Sequence, residues 1–318
     1  MGGEDSTWYR TCVGKSVMEP EPPEGRPFGI APPGYRLPDD THVGAVRLQV
    51  SDLHRSIAYY ERVIGLRVHA RAADRADLSA HADNRTLVSL HAKTGISPAR
   101  RGAFGLYHFA LLVPNRAELG RFAAHLATID ERVGMADHLV SEALYLWDPD
   151  SLGIEVYADR PRHLWEHDGK QLVMATDPLD VPSLVSAGGG RTWRGLPAGT
   201  TVGHVHLHVG DLEEGEAFYH RSLGFDKTVW NYPGALFLSA GGYHHHLGTN
   251  TWSPGPSAQA NEAQLLEWEL VVPDRADVSA ATQSLRDGGY TAGDSERGTT
   301  SADPWGTRLR IVPLAGNP

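Results

Sequence analysis

The feature that most constrains this chain is an internal duplication. The run Val43–Val50, followed by Asp52-Leu53, recurs as Val202–Val209 followed by Asp211-Leu212, an offset of 159 residues. Each run alternates apolar and polar residues like a strand, and each is followed by a helical pattern. An internal repeat at a fixed offset indicates one folding unit that is used more than once. The sequence therefore predicts two copies of a strand–helix unit.

A second unit repeats in the same way. Leu111–Ala117 matches Leu270–Ala276 at the offset of 159, and Asp-Pro turns at Asp148 and Asp303 precede the final strand of each copy. The two repeats predict four strand–helix–strands modules. The predicted division is an N-terminal proline-rich arm (1–41), a first pair (42–160) with module 1 (42–95) and module 2 (104–160), a connector (161–199), and a second pair (200–313) with module 3 (200–252) and module 4 (264–313).

Composition excludes several classes of protein. Hydrophobic residues make up 41% of the 318 residues and charged residues 21%, which is near the globular average and excludes a wholly disordered chain. No apolar run approaches the ~18–20 residues that a membrane-spanning helix needs. The net charge of −10 and the absence of a Lys/Arg cluster argue against nucleic acids and anionic membranes as partners.

The cysteine and histidine content indicates the cellular compartment and the kind of metal ligands to expect. Cys12 is the single cysteine and cannot form an internal disulfide, and the segment Met1–Gly14 lacks a basic region followed by an apolar one. We therefore expect a cytoplasmic protein. With 17 histidines and one cysteine, a metal would be held by imidazole and carboxylate, which favours Fe(II), Mn or Zn over thiolate sites.

The module pattern resembles the vicinal oxygen chelate (glyoxalase/bleomycin-resistance/dioxygenase) superfamily. The residues that carry the resemblance are Asp52-Leu53, Tyr59-Tyr60 and Ile64-Gly65-Leu66 in module 1, and Asp211-Leu212, Phe218-Tyr219 and Leu223-Gly224-Phe225 in module 3. Four modules in one chain further resemble the type I extradiol ring-cleaving dioxygenases, in particular those that are catechol 2,3-dioxygenase-like. The resemblance implies an α+β fold of four tandem βαβββ modules paired into two domains.

The resemblance also implies a ligand set. In that family, Fe(II) is held by a first-strand His of one module together with a first-strand His and a last-strand Glu of another. The corresponding positions here are Ala45, His108, His204 and Glu267 on first strands, and Glu155 and Arg310 on last strands. Two imidazoles and one carboxylate come together only as His108, Glu155 and His204. This assignment requires modules 2 and 3 to face each other.

The remaining three positions do not suit a metal. Ala45 has no ligand atom, and the guanidinium of Arg310 has no lone pair to give. We expect an ion pair between Glu267 and Arg310 in this second cup. The sequence therefore predicts one metal site per chain.

The segment from His138 to Glu155 resembles the extradiol signature. The matching residues are His138, Tyr145, Asp148, Pro149 and Glu155. Ser151 stands where Gly is usual, and Ala136 also departs from the pattern. The change at Ser151 affects the turn more than the chemistry, because Gly is favoured where φ must be positive. The resemblance implies that His138 and Tyr145 are catalytic residues that hydrogen-bond to the substrate.

A third group of histidines follows Gly241-Gly242. By resemblance, a His on the last strand of module 3 is the acid–base group, and the register assigns this role to His245. A bulge after the two glycines would exchange it with His244 or His246. A neutral imidazole with a pKa near 6.5 suits proton transfer at neutral pH. Substrate-binding roles are predicted for His246, Asn250 and Trp252.

The predicted function is that of an Fe(II)-dependent extradiol dioxygenase in aromatic catabolism, with a catechol-type substrate and O₂ as its small-molecule partners. Homo-oligomer formation is left open. One alternative is a glyoxalase-like or isomerase-like enzyme of the same superfamily that uses Ni, Zn or Mn. The other is a non-catalytic resistance protein that sequesters a planar aromatic compound in the cup.

Overall fold

The computed structural model describes residues 28–295 and 297–315. Most of the predicted proline-rich arm, residues 1–27, lies outside the described residues. Residues 28–41 form no helix or strand, and Ile30 makes an isolated bridge to Lys227. None of the helices in the described ranges is both long and apolar enough to cross a membrane.

The first half of the chain forms two βαβββ modules. Module 1 consists of β1 (His42–Val50), α1 (Leu53–Tyr59) with a π-helical turn (Tyr60–Ile64), β2 (Arg67–Arg71), β3 (Arg75–Ser79) and β4 (Val88–Ala92). Module 2 consists of β5 (Gly105–Leu112), α2 (Arg116–Thr128), β6 (Gly134–Asp137), β7 (Ser141–Trp147) and β8 (Gly153–Asp159).

The connector and the second half follow. The connector contains a 3₁₀ turn (Arg162–Leu164), the short strands β9 (His167–Asp168) and β10 (Gln171–Leu172), and α3 (Val181–Ala187). Module 3 consists of β11 (Thr201–His208), α4 (Leu212–Glu216) with a π-helical turn (Ala217–Ser222), β12 (Asp226–Val229), β13 (Ala235–Ser239) and β14 (Leu247–Asn250). Module 4 consists of β15 (Gln264–Val272), α5 (Arg275–Asp287), β16 (Ala292–Ser295), β17 (Gly298–Ala302) and β18 (Arg308–Pro313).

The strands form two eight-stranded sheets, and the predicted α+β fold of four βαβββ modules is confirmed. One sheet has the order β12-β13-β14-β11-β5-β8-β7-β6 and joins modules 3 and 2, and the other has the order β16-β17-β18-β15-β1-β4-β3-β2 and joins modules 4 and 1. The predicted division into chain halves groups modules 1 with 2 and 3 with 4, whereas the sheets pair modules across the halves. The reason is that first strands pair antiparallel with each other, β5 with β11 and β1 with β15.

A buried Tyr–Asp hydrogen bond connects the modules within each half. The Tyr60 hydroxyl donates to Asp148 Oδ2 at 3.3 Å. At the equivalent place in the second half, the Tyr219 hydroxyl donates to Asp303 Oδ2 at 2.9 Å. The other oxygen of each aspartate accepts two backbone N–H groups of the turn that follows. The aspartates of the repeated Asp-Pro turns therefore accept the hydrogen bonds that link the two sheets.

We expect Tyr60→Phe to lower the free energy of unfolding by about 1–3 kcal/mol, because it removes a donor from the buried Asp148 carboxylate. Tyr59→Phe is the matched control, since the buried Tyr59 hydroxyl has no hydrogen-bond partner among the described residues. Urea unfolding of both variants measures the difference. Equal losses in the two variants would mean that the hydrogen bond adds nothing to stability.

Candidate active site

The pairing of β5 with β11 positions three side chains on one face of a sheet. His204 on β11 lies opposite Ala110 on β5, and Glu155 on β8 lies opposite Ala110 on its other side. His108 lies two residues before Ala110 on the same face, because alternate side chains of a strand point the same way. The Ala110 side chain ends at Cβ, so the longer side chains of its neighbours converge above it.

The three side chains form what we call the His–His–Glu cluster, which consists of His108, Glu155 and His204. Glu155 Oε2 lies 3.0 Å from His108 Nε2 and 3.2 Å from His204 Nε2. The two Nε2 atoms are 3.4 Å apart, and all three residues are buried. Within the described ranges, no other set of three His, Cys, Asp or Glu residues has its ligand atoms within 4.8 Å of one another.

This geometry fits a divalent metal. Ligand atoms at about 2.1 Å from a metal and at right angles to each other are about 3.0 Å apart. The observed separations of 3.0, 3.2 and 3.4 Å are close to this value for all three pairs. Two imidazoles and one carboxylate on a single face are a donor set that suits Fe(II), Mn and Zn. The three residues therefore present the side-chain atoms that such an ion needs.

The charge states of the His–His–Glu cluster also suit a metal. Burial by itself raises the pKa of Glu155, but the adjacent imidazoles of His204 and His108 bring that pKa well below its usual range. Burial lowers the pKa of both histidines, against the opposing effect of Glu155. The carboxylate is thus ionised and the imidazoles are neutral, which are the forms that bind metal ions.

His138 and Tyr145 are hydrogen-bonded to each other beside this cluster. The Ala175 carbonyl, 2.6 Å from His138 Nδ1, accepts a hydrogen bond, so that nitrogen carries a proton. In a neutral imidazole, Nε2 is then an acceptor, and it accepts from the Tyr145 hydroxyl at 2.6 Å. Burial raises the pKa of Tyr145 well above its usual range, with the charge of Glu155 adding to the effect. Tyr145 therefore keeps its proton.

His244 and His245 form a second hydrogen-bonded chain that begins at Asp159. The Asp159 carboxylate accepts from His244 Nε2 at 2.9 Å, and the Nδ1 atoms of His244 and His245 are 2.7 Å apart. The His245 ring lies 4.1 Å from the His204 ring, centre to centre. Burial first, and then the neighbouring His204 and His244, lower the pKa of His245 well below its usual range.

Two predicted substrate-binding residues lie elsewhere. His246 Nδ1 contacts Ser239 Oγ at 3.1 Å, and His246 does not line the cavity beside the cluster. The reason is that β14 begins only at Leu247, so the histidines lie in an irregular segment where strand alternation does not apply. Asn250 is also absent from the lining, and its side-chain oxygen accepts from His208 Nδ1 at 2.7 Å. The third, Trp252, lines the cavity and is half exposed at its edge.

The cavity beside the His–His–Glu cluster has a volume of about 320 Å³. Its lining also includes His138, Tyr145 and His245. Sequence reasoning did not identify the further lining residues Tyr107, Met174, Thr176, Tyr232 and Phe237. The Thr176 and Tyr232 hydroxyls are hydrogen-bonded at 2.8 Å and join the connector to the β12–β13 loop. The connector has no second copy, and the β12–β13 loop differs in sequence from the β2–β3 loop of module 1, so neither sequence held a signal of a role here.

The equivalent positions in the sheet of modules 1 and 4 hold an ion pair. Arg310 Nε and Nη2 donate to the two carboxylate oxygens of Glu267 at 2.7 and 2.9 Å. Ala45, the third residue, offers no side-chain ligand. The expected Glu267–Arg310 pair is present, and it occupies the position of the His–His–Glu cluster in the other sheet.

Comparisons with known proteins give consistent results. The model of the family described as Glyoxalase/Bleomycin resistance protein/Dioxygenase superfamily matches residues 42–174 and 201–310. Over 271 residues the chain is 40% identical to catechol-2,3-dioxygenase of Bacillus subtilis (strain 168), covering 84% of this chain and 95% of that protein.

Two solved structures share the fold. A protein from Bacillus subtilis subsp. subtilis str. 168, provisionally named a dioxygenase, has a TM-score of 0.64 at 12% identity, covering 89% of this chain and 87% of that chain. Glyoxalase I from Zea mays has a TM-score of 0.54 at 17% identity, covering 86% of this chain and 92% of that chain. At these identities the likeness concerns the fold alone.

We expect metal analysis to give one divalent ion per chain, and Glu155→Gln to lose it. The variant keeps the shape of the side chain but removes the one negative charge of the cluster. Loss of a residue that hydrogen-bonds to a metal ligand lowers metal affinity by ~10–100-fold. Loss of the ligand charge itself should lower the metal affinity by more. Glu267→Gln, at the equivalent position of β15, is the matched control and should keep its metal. Two tightly bound ions per chain, or loss only in Glu267→Gln, would contradict the assignment.

Proposed function

Because this chain belongs to the Glyoxalase/Bleomycin resistance protein/Dioxygenase superfamily, we propose that it is an Fe(II)-dependent extradiol dioxygenase that opens a catechol-type ring with O₂. The 40% identity to catechol-2,3-dioxygenase over 84% of the chain supports this reaction over others of the superfamily. The observation that carries the proposal is the His–His–Glu cluster at the wall of an aromatic-lined cavity. The resemblance predicted from the sequence is confirmed at the level of the family.

The metal would be held by His108, Glu155 and His204. When bound there, Fe(II) supplies the Lewis-acid and redox chemistry of ring cleavage, since three ligands on one face leave positions for substrate oxygens and O₂. Both atoms of O₂ enter the ring-opened product, so the reaction requires no separate reductant. The protein's own residues have to bind and orient the ring and move its protons.

The cavity suits a planar aromatic substrate. Tyr107, Tyr232 and Phe237 line it with aromatic rings, and Met174 adds a flexible apolar side chain. Its volume of about 320 Å³ lies at the lower end of the range for small-molecule pockets, which favours a single ring with small substituents. Glu155, His204 and Tyr145 lie beside His108, so the ring hydroxyls would face this group and the substituents would face Trp252.

His245 is placed to accept a proton from the substrate, and its lowered pKa keeps the imidazole neutral and able to accept one. The Asp159 carboxylate requires a proton on His244 Nε2, and a neutral His244 then offers its Nδ1 lone pair to the Nδ1–H of His245. These two hydrogen bonds leave the lone pair of His245 on Nε2. No described residue hydrogen-bonds to that atom, and His245 lines the cavity. Asp159 and His244 thus act as positioning residues that set the tautomer of the base.

His138 and Tyr145 are suited to orient the second polar group of the substrate. The Tyr145 proton is donated to His138, so the phenolic oxygen keeps its lone pairs free to accept from a ring hydroxyl. The Tyr145 ring lies 5.5 Å from the His108 ring, centre to centre, which puts this acceptor beside the cluster. The two hydrogen-bonded pairs therefore flank the cluster, with the base near His204 and the acceptor near His108.

The two alternatives are less well supported. A glyoxalase-like or isomerase-like reaction has the same donor set and fold, but the solved glyoxalase I is only 17% identical to this chain. A resistance protein that sequesters aromatic compounds has no need of a buried carboxylate between two imidazoles. We therefore retain ring cleavage as the proposed reaction.

Anaerobic loading with Fe(II), followed by a panel of catechols and O₂, tests the proposal. We expect O₂ consumption that depends on both metal and catechol, and a ring-opened product that carries two labelled atoms from ¹⁸O₂. Loading with Ni, Zn or Mn and assaying thiol adducts of 2-oxoaldehydes tests the glyoxalase alternative. Isomerase activity without O₂ uptake would overturn the dioxygenase assignment.

His245→Ala separates the base from the ligands. The variant keeps the His–His–Glu cluster, so we expect it to retain its metal while turnover falls by ~10²–10⁴-fold. His246→Ala is the neighbouring control, and turnover should change little because His246 does not line the cavity. Asp159→Asn should show an intermediate loss with unchanged metal content. Normal turnover in His245→Ala together with a loss in His246→Ala would show that another histidine is the base.

A further inference from the structure

A second cavity lies against the sheet of modules 1 and 4, on the face that carries Ala45, the counterpart of His204. We call it the second cavity, and residues that define it are Arg47, Arg75, Asp77, Arg85, Glu269 and Arg275. Its volume is about 510 Å³, against about 320 Å³ for the cavity beside the cluster. The two cavities have no lining residue in common. The second cavity is therefore a separate feature of the other sheet.

Substitutions between the repeats explain why this space is open. In the sheet of modules 2 and 3, the equivalent space holds a hydrogen-bonded network of Tyr157, Tyr243, His244 and Asp159. The counterparts in modules 4 and 1 are Val312 for Tyr157, Asn84 for Tyr243, Arg85 for His244 and Leu314 for Asp159. A large ring and an acid are thus replaced by aliphatic residues, and an imidazole is replaced by a guanidinium.

The lining of the second cavity is cationic. Five arginines contribute to it, namely Arg47, Arg75, Arg85, Arg275 and Arg297, against the two carboxylates of Asp77 and Glu269. The lining thus has three more positive than negative groups, in a chain whose net charge is −10. A concave surface of one sign concentrates ions of the opposite sign. The second cavity therefore favours an anion.

Three of these arginines lack a good carboxylate partner. Arg47 lies 3.4 Å from Glu267, whose two oxygens are already bound by Arg310. Arg85 comes no nearer than 3.9 Å to Asp83. Arg275 makes no ion pair with any described residue. These guanidinium groups keep donors that a bound oxyanion would satisfy, in the bidentate geometry that suits arginine and carboxylate.

Part of the lining of the second cavity is apolar. Val43, Leu87, Val271 and Val312 are buried and form part of it. A free inorganic ion would leave this apolar surface in contact with water, whereas an organic acid would cover it. We propose that the second cavity is a binding site for a small organic carboxylate. The acid group would contact Arg47 and Arg85, and the apolar body would pack against the valines and Leu87.

Calorimetric titration of the metal-loaded protein with benzoate tests this inference, with acetate and benzyl alcohol as matched probes. We expect saturable binding of benzoate at one site per chain. Acetate has the acid without the ring, and benzyl alcohol has the ring without the acid, so both should bind at least about tenfold more weakly. Equal binding of acetate, or of benzyl alcohol, would contradict a site that requires both features.

Variants assign the binding to the second cavity. Arg85→Gln should weaken benzoate binding by about tenfold or more, and Val312→Tyr should block it by restoring the ring found in the other sheet. Arg132→Gln, an exposed arginine outside both cavities, is the control and should bind normally. Glu155→Gln, titrated without metal, should also bind normally, because it alters only the other cavity. Binding lost in Glu155→Gln but kept in Arg85→Gln would place benzoate at the metal cluster and overturn the inference without affecting the proposed reaction.

Discussion

The antiparallel pairing of β5 with β11 is the constraint on which the candidate site depends. These first strands belong to different halves of the chain, and His108 and His204 are 96 residues apart in sequence. A shift of the pairing by one residue would turn one imidazole to the opposite face, away from Glu155. The His–His–Glu cluster therefore exists only because the two halves of the chain share a sheet, and not because either half contains a complete site.

The sheets and the Tyr–Asp hydrogen bonds connect the four modules in different ways. The sheets join module 2 to module 3 and module 1 to module 4. The Tyr60–Asp148 and Tyr219–Asp303 hydrogen bonds join module 1 to module 2 and module 3 to module 4. Each module is thus held by two others. A half chain alone would leave its first strands as unpaired sheet edges, because each first strand pairs with one from the other half.

The repeat made the four modules predictable, because one offset carries strand positions from one module to the next. The His–His–Glu cluster was predictable because the resemblance to extradiol dioxygenases gave the ligand pattern and the repeat gave the positions. The repeat could not assign His246 or Asn250, since strand geometry is absent until Leu247, and the cavity is lined by His245 and Trp252 on either side of β14 but by no residue of that strand. Met174 and Tyr232 line the cavity from the connector and from a loop. Neither segment has a repeated sequence or a periodicity, so only the folded chain brings them to the site.

A comparison of the two sheets shows which buried polar atoms destabilise the protein because of the candidate site and not because of the fold. His204 Nδ1, His206 Nε2 and Asn250 Nδ2 are buried without a hydrogen-bond partner among the described residues. An unpaired buried polar atom costs about 1–3 kcal/mol, so stability alone would not favour these side chains. The counterparts of the two histidines are Ala45 and Arg47, which have no such atom. The other sheet has an unpaired buried atom of its own, Trp268 Nε1, but none at the positions equivalent to the two histidines. Since both sheets have the same frame, the unpaired histidine atoms belong to the chemistry of one sheet and not to its architecture.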